Sequence, residues 1–123
     1  MSKYHSKKVL TADGKLHDSK KEAQRWEQLQ LMERAGKIKD LKRQVEFELI
    51  PAQYERYPRY GKKGQRIKDG RRCIERSCRY VADFVYIAEG KLIVEDCKGM
   101  RTHDYVIKRK LMLKVFGIKI TET

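Results

Sequence analysis

Apolar residues fall into a few short stretches separated by charged ones, and their spacing predicts the elements. Ala23, Trp26, Leu29 (or Gln30), Met32 and Ala35 recur every three to four residues, which is one face of a helix over 19–35. Ser19 with Glu22 three positions later fits a capping box at its start, and Gly36 supplies a left-handed stop. Val45, Phe47 and Leu49 then alternate with Glu46 and Glu48, a strand with one face in water, and Pro51 ends it. Two runs rich in β-branched and aromatic residues follow within 79–99, joined at Glu89-Gly90, and read as strands covered on both faces. A second helix is expected over 102–116. Thr102 or Asp104 caps it, Ile107, Leu111 and Val115 face the core, and Gly117 stops it. Ile118 and Ile120 form a short closing strand. Ahead of the first helix, Val9-Leu10 and the turn signal Asp13-Gly14 make 1–18 a small hairpin or a basic arm. The order helix, strand, strand, strand, helix, strand predicts an α+β (α/β) domain.

The candidate chemistry lies in the 79–99 hairpin. With a two-residue turn, Ala88 pairs with Lys91, Ile87 with Leu92, Val85 with Val94 and Asp83 with Asp96. Side chains directly opposite on an antiparallel pair share a face with Cβ atoms roughly 4.5–5.5 Å apart. Two carboxylates among valines and isoleucines repel and are poorly solvated, so a cation or a proton must offset them. Lys98 follows Asp96 on the same face by strand alternation. Two carboxylates and a lysine on one face point to a metal-dependent hydrolytic site. A three-residue loop would shift the pairing by one, setting Glu95 against Asp83 and taking Lys98 out of the site. In the first register, Glu95 points the other way and pairs with a basic neighbour. Gln44 either approaches the site or finishes a turn.

The 123 residues support one domain, 1–123, and the balance of 30 Lys and Arg against 17 Asp and Glu gives a net charge of +13. That excess favours a polyanionic partner, nucleic acid before an anionic membrane surface. No run approaches the roughly 20 apolar residues of a membrane span, and the start MSKYHSKK has no apolar signal core, so a cytoplasmic protein is expected. Three cysteines fit a reducing compartment better than a disulfide framework, and the spacing of Cys73 and Cys78 alone does not make a zinc site.

From 52 to 78 the apolar pattern gives way to a basic flap. Arg56, Arg59, Lys62, Lys63, Arg66, Arg71 and Arg72 are candidate DNA contacts, with Tyr54, Tyr57 and Tyr60 interleaved among them. Arginines bind phosphate bidentately and tyrosine rings stack on unpaired bases. A solvated flap with no special role is the plainer reading. Lys108, on the basic side of the second helix, is a further candidate phosphate contact.

Asp83, a spacer, and then Asp96-Cys97-Lys98 resembles the PD-(D/E)XK nuclease signature, with Ala82 where the usual pair has proline. The stretches D-S-K-K-E, A-G-K-I-x-x-L-x-x-Q, Y-x-A-D-F-V-Y, V-E-D-C-K-G and I-K-R-K-L are together similar to a family of small phage-encoded endonucleases of that superfamily, some likened to Holliday-junction resolvases. The resemblance covers nearly the whole chain. It implies a restriction-endonuclease-like core of order α-β-β-β-α-β, with a mixed central sheet flanked by helices. It also implies a Mg²⁺-dependent DNA endonuclease, with Mn²⁺ as a substitute. Asp83, Asp96 and the main-chain carbonyl of Cys97 would hold the ion, Glu22 would join them from the first helix, and Lys98 would assist the attack. Glu22 is equally suited to the capping box alone. Cutting both strands of a junction needs two sites, hence a homodimer. The rival expectation is a non-catalytic basic DNA-binding or assembly protein on the same fold.

Overall fold

In a computed structural model, which describes residues 8–17, 19–97 and 101–123, the chain folds as an α+β domain with two helices and a mixed sheet. A hairpin of β1 (Val9–Leu10) and β2 (Leu16–His17) leads into α1 (Lys20–Arg34). Ser19 is the N-cap and its hydroxyl accepts from the Glu22 amide. Ala35 is the C-cap, exposed rather than part of the buried stripe, and Gly36 follows at φ 77°. Trp26 and Leu29 are buried, Leu29 and not Gln30 holding the core position. Asp13 in the β1–β2 turn accepts from the Trp26 indole at 2.7 Å, fastening the hairpin to the helix.

The main sheet is built from β3 (Lys39–Ile50), β6 (Cys78–Ala88), β7 (Lys91–Asp96) and β8 (Thr121–Glu122), in the order β3-β6-β7-β8. All pairs are antiparallel except β7–β8, which is parallel. The β6–β7 turn is the two-residue kind, with Glu89 at φ 52° and Gly90 at φ 76°, and the register is the one expected: Ala88 with Lys91, Ile87 with Leu92, Val85 with Val94. A side chain other than glycine at positive φ is uncommon, and the two-residue hairpin turn requires two such residues in succession.

Each face of the sheet carries a helix. On one, Phe84 and Tyr86 pack with Trp26 and Leu29 of α1. On the other, Tyr80, Ala82, Val85 and Val94 pack with Tyr105 and Met112 of α2 (His103–Phe116). Strict alternation would put Ala82 and Phe84 on the same face. They lie on opposite faces, so β6 switches sides once between them, at Asp83. β3 switches at the same level: Val45 joins the α2-side core while Arg43 reaches His17 on the other side, with Gln44 between them at φ 53°.

Several sequence expectations need correction. In α2 the buried residues are Tyr105 and Met112, whereas Ile107 is 56% and Val115 48% exposed; only Leu111 of the expected stripe packs against the core, and partly. The helix docks through a stripe rotated away from Ile107 because Tyr105 lies against Tyr80. The closing strand is Thr121–Glu122 rather than 118–120, since Ile120 is itself in the core and Thr121 and Glu122 pair with Glu95 and Asp96. The basic flap is not irregular. It forms an antiparallel ribbon of β4 (Gln53–Tyr60) and β5 (Arg66–Glu75) that continues the β3–β6 pair past its last partners, Ile50 and Cys78. Polar alternation with almost nothing buried left no apolar periodicity from which to predict it. Among the described residues no helix is long and apolar enough to cross a membrane.

Candidate functional site

The switch in β6 turns the Asp83 carboxyl toward the end of β7. Its Oδ2 accepts the Cys97 amide at 2.8 Å, and Asp96 acts on it through its charge and as a hydrogen-bond partner. The two aspartates expected to face each other are therefore neighbours. Burial and then the Asp96 charge push the Asp83 carboxyl up to about 7, with Glu22 adding to the effect and the Cys97 amide opposing it. A low-dielectric setting raises the cost of two adjacent negative charges, and a proton or a divalent cation relieves it.

Asp96 is 1% exposed and accepts from the Tyr80 hydroxyl at 2.6 Å. Burial, followed by that hydrogen bond to a carboxylate, pushes the Tyr80 phenol far above its usual range, so it acts as a donor and holds Asp96 in place. Glu22 is 4% exposed. Its amide makes the Ser19 half of the capping box, but its carboxylate is directed to Gln44, whose Nε2 donates at 3.2 Å, and to His17, 3.7 Å away. The Glu22 carboxylate is thus drawn toward Gln44, which the register sets opposite Asp83. Glu22 is placed on the side of the sheet from which it influences both Asp83 and Cys97.

Glu95 turns the other way, as the register requires. It is fully buried and accepts from Nε and Nη2 along one edge of the Arg25 guanidinium, at 2.8 and 2.7 Å, and from the Tyr86 hydroxyl. Beside this pair, a cleft of ≈ 330 Å³ runs from Lys21 and Gln24 of α1 to Cys97 and Thr123. On the opposite face, a cleft of ≈ 260 Å³ bordered by Arg79, Tyr80, Tyr105 and Lys108 reaches the other side of the Asp96 support.

A family model matches residues 1–121, almost the entire chain. The chain belongs to the family DUF1064, described as a protein of unknown function. No curated protein and no solved structure matches it.

In this DUF1064 chain Asp83, mid-way along β6, lies beside Asp96 and the Cys97 amide at the end of β7, near enough to Glu22 to feel its charge. Lys98, the remaining expected member, lies outside the described residues. Among the described residues no three His, Cys, Asp or Glu side chains are arranged to hold a metal ion together. What the pair offers is two carboxylates, oxygen donors only. That donor set fits Mg²⁺, which commonly takes one or two carboxylates and keeps several waters, better than it fits zinc. The three cysteines are free, with Cys73 exposed on the ribbon.

Of the expected DNA contacts, Arg56, Arg59, Arg66, Arg71 and Arg72 are on the ribbon strands and Lys62 and Lys63 in their connecting turn, all exposed. Two of the interleaved tyrosines already carry a guanidinium on one ring face: Arg71 lies 3.8 Å over the Tyr54 ring and Arg72 4.7 Å over that of Tyr57. Gly70 is required beneath Tyr57, because a Cβ there would run into the ring. Sequence reading missed Tyr80, Arg25 and His17. Tyr80 had a signal, since it begins the Y-x-A-D stretch. Arg25 and His17 had none, because each meets its partner only across the tertiary fold.

Proposed function

We propose that this DUF1064 protein is a Mg²⁺-dependent DNA endonuclease hydrolysing phosphodiester bonds. Branched DNA such as a Holliday junction is the intended substrate, and phage recombination or replication the setting. The observation that carries the reading is the pairing of half-buried Asp83 with buried Asp96, two carboxyls pressed together where a proton or a cation relieves their repulsion. Asp83, Asp96 and the Cys97 carbonyl hold the ion, which when bound supplies Lewis acidity toward water and phosphate oxygen. Tyr80 fixes the rotamer of Asp96, and the Cys97 amide fixes that of Asp83. Glu22, oriented by Gln44, is the third acid. Lys98 stabilises charge developing on the phosphoryl oxygens. Mn²⁺ substitutes for Mg²⁺. The active form is a homodimer, since two sites are needed to sever both strands of a junction.

Incubation with labelled four-way junction, flap, linear duplex and single-stranded DNA tests this. Cleavage with Mg²⁺ is expected, stopped by EDTA and by Asp96→Ala while DNA binding persists. Unchanged nicking by Asp96→Ala would remove the site assignment. Binding without cleavage of any substrate in either metal would leave the rival reading, a basic DNA-binding or assembly protein, which the charge of +13 suits equally well.

A further inference from the structure

The ribbon has two unlike faces. The register sets Glu55 opposite Arg72 and Tyr57 opposite Gly70, and on that face Glu55 neutralises Arg72 at 3.0 Å. The other face has Arg56 opposite Arg71. Like charges directly opposite on an antiparallel pair repel. Among the described residues neither arginine has a carboxylate partner; Arg71 leans on the Tyr54 ring instead. Arg56 and Arg71 border a cleft of ≈ 450 Å³ with Lys68, Asp69 and Gly70, and Asp69 is already taken by Arg66 at 2.7 Å. The cleft is therefore left with the charge of three cations.

We propose that this Arg56–Lys68–Arg71 face seats the phosphate backbone of duplex DNA, and that the ribbon binds without reading bases. An anionic phosphodiester between Arg56 and Arg71 converts their repulsion into a shared charge-assisted contact. Duplex is favoured over single strands because a stacking platform needs a row of open rings, whereas guanidiniums occupy one face of Tyr54 and of Tyr57, and Tyr60, though exposed, is a single ring. A two-stranded ribbon also has the width that the major groove admits. The substrate class rests on the nuclease reading, but the contact itself does not require cleavage.

The test is fluorescence anisotropy of a labelled 20-bp duplex and of its single strand, in EDTA, over a salt series. The expected result is that Arg56→Ala with Arg71→Ala weakens duplex binding at least tenfold. It should also flatten the log K against log salt plot by about two, near 0.9 per phosphate contact. Arg72 was among the expected contacts, but its pairing with Glu55 removes it from that set, so Arg72→Ala should stay within about twofold of the parent. Arg56→Lys with Arg71→Lys should recover part of the loss, which a folding defect would not allow. Parent-like binding by the double alanine variant, an equal loss in Arg72→Ala, no recovery in the lysine variant, or tighter binding of the single strand would each overturn the proposal. Because EDTA suppresses cleavage, a protein that binds in this way yet never cuts DNA would sink the nuclease reading and leave the ribbon face standing.

Discussion

At Asp83 the folded protein holds a proton that the unfolded chain would release near 3.8. The folded-state value is raised, so between about pH 4 and about pH 7 the native form binds more protons than the unfolded form. Stability of the metal-free protein should therefore fall as pH rises through that window, then level off. Asp83→Asn removes this effect. At pH 8 in EDTA the variant should melt above the parent, by an amount on the order of a few kcal/mol, at about 1.4 kcal/mol per pKa unit, and the gap should close below pH 4. Mg²⁺ should then raise the melting temperature of the parent but not of Asp83→Asn, a check on ion binding that involves no activity. Arg25 poses the opposite problem. Glu95 is fully buried and Arg25 is the cation that pairs with it. Arg25→Ala leaves that carboxylate without its partner and should cost about 3–5 kcal/mol in urea unfolding.

The elements differ in how plainly the chain announces them. Helix α1 was legible because cap, stripe and stop all agree over 19–36, and the β6–β7 register because Glu89-Gly90 takes the positive φ angles of a two-residue turn. The side switch at Asp83 was not legible: Ala82, Phe84 and Val85 are all apolar, so the pattern looks the same whichever core receives each of them. Nor was the docking face of α2. Ile107, Leu111 and Val115 form as good a stripe as Tyr105 and Met112, and the choice is made by Tyr80 and Tyr105 meeting across the sheet. The ribbon was hidden for a different reason, since strands that bury nothing carry no hydrophobic signal. The same fact gives a prediction. Replacing residues 53–75 by a short turn between Ala52 and Arg76 should leave the melting temperature of the domain nearly unchanged, while duplex binding in EDTA falls sharply.

For the molecule as a whole, Asp83 and Asp96 lie in the main sheet and Arg56 and Arg71 on the ribbon. On the proposed function, the acids would serve hydrolysis and the ribbon would serve affinity. A net charge of +13 works against packing two copies together unless DNA lies between or near them. If the active form is a homodimer, mixing parent with Asp96→Ala should produce subunit pairs with one working site. Such pairs should nick a cruciform plasmid where the parent linearises it, and a gel resolving nicked from linear product reads the difference directly.

Because the ribbon prolongs two strands of the sheet, it can act as a measuring arm. Adding two residues to each of its strands moves the tip outward by roughly 6–7 Å, at 3.2–3.4 Å per residue, and keeps each side chain on its original face. Adding one residue per strand would exchange the faces. If the proposed function holds, the distance between the grip on the double helix and the point of scission would be reset in fixed steps, with Asp83 and Asp96 left undisturbed.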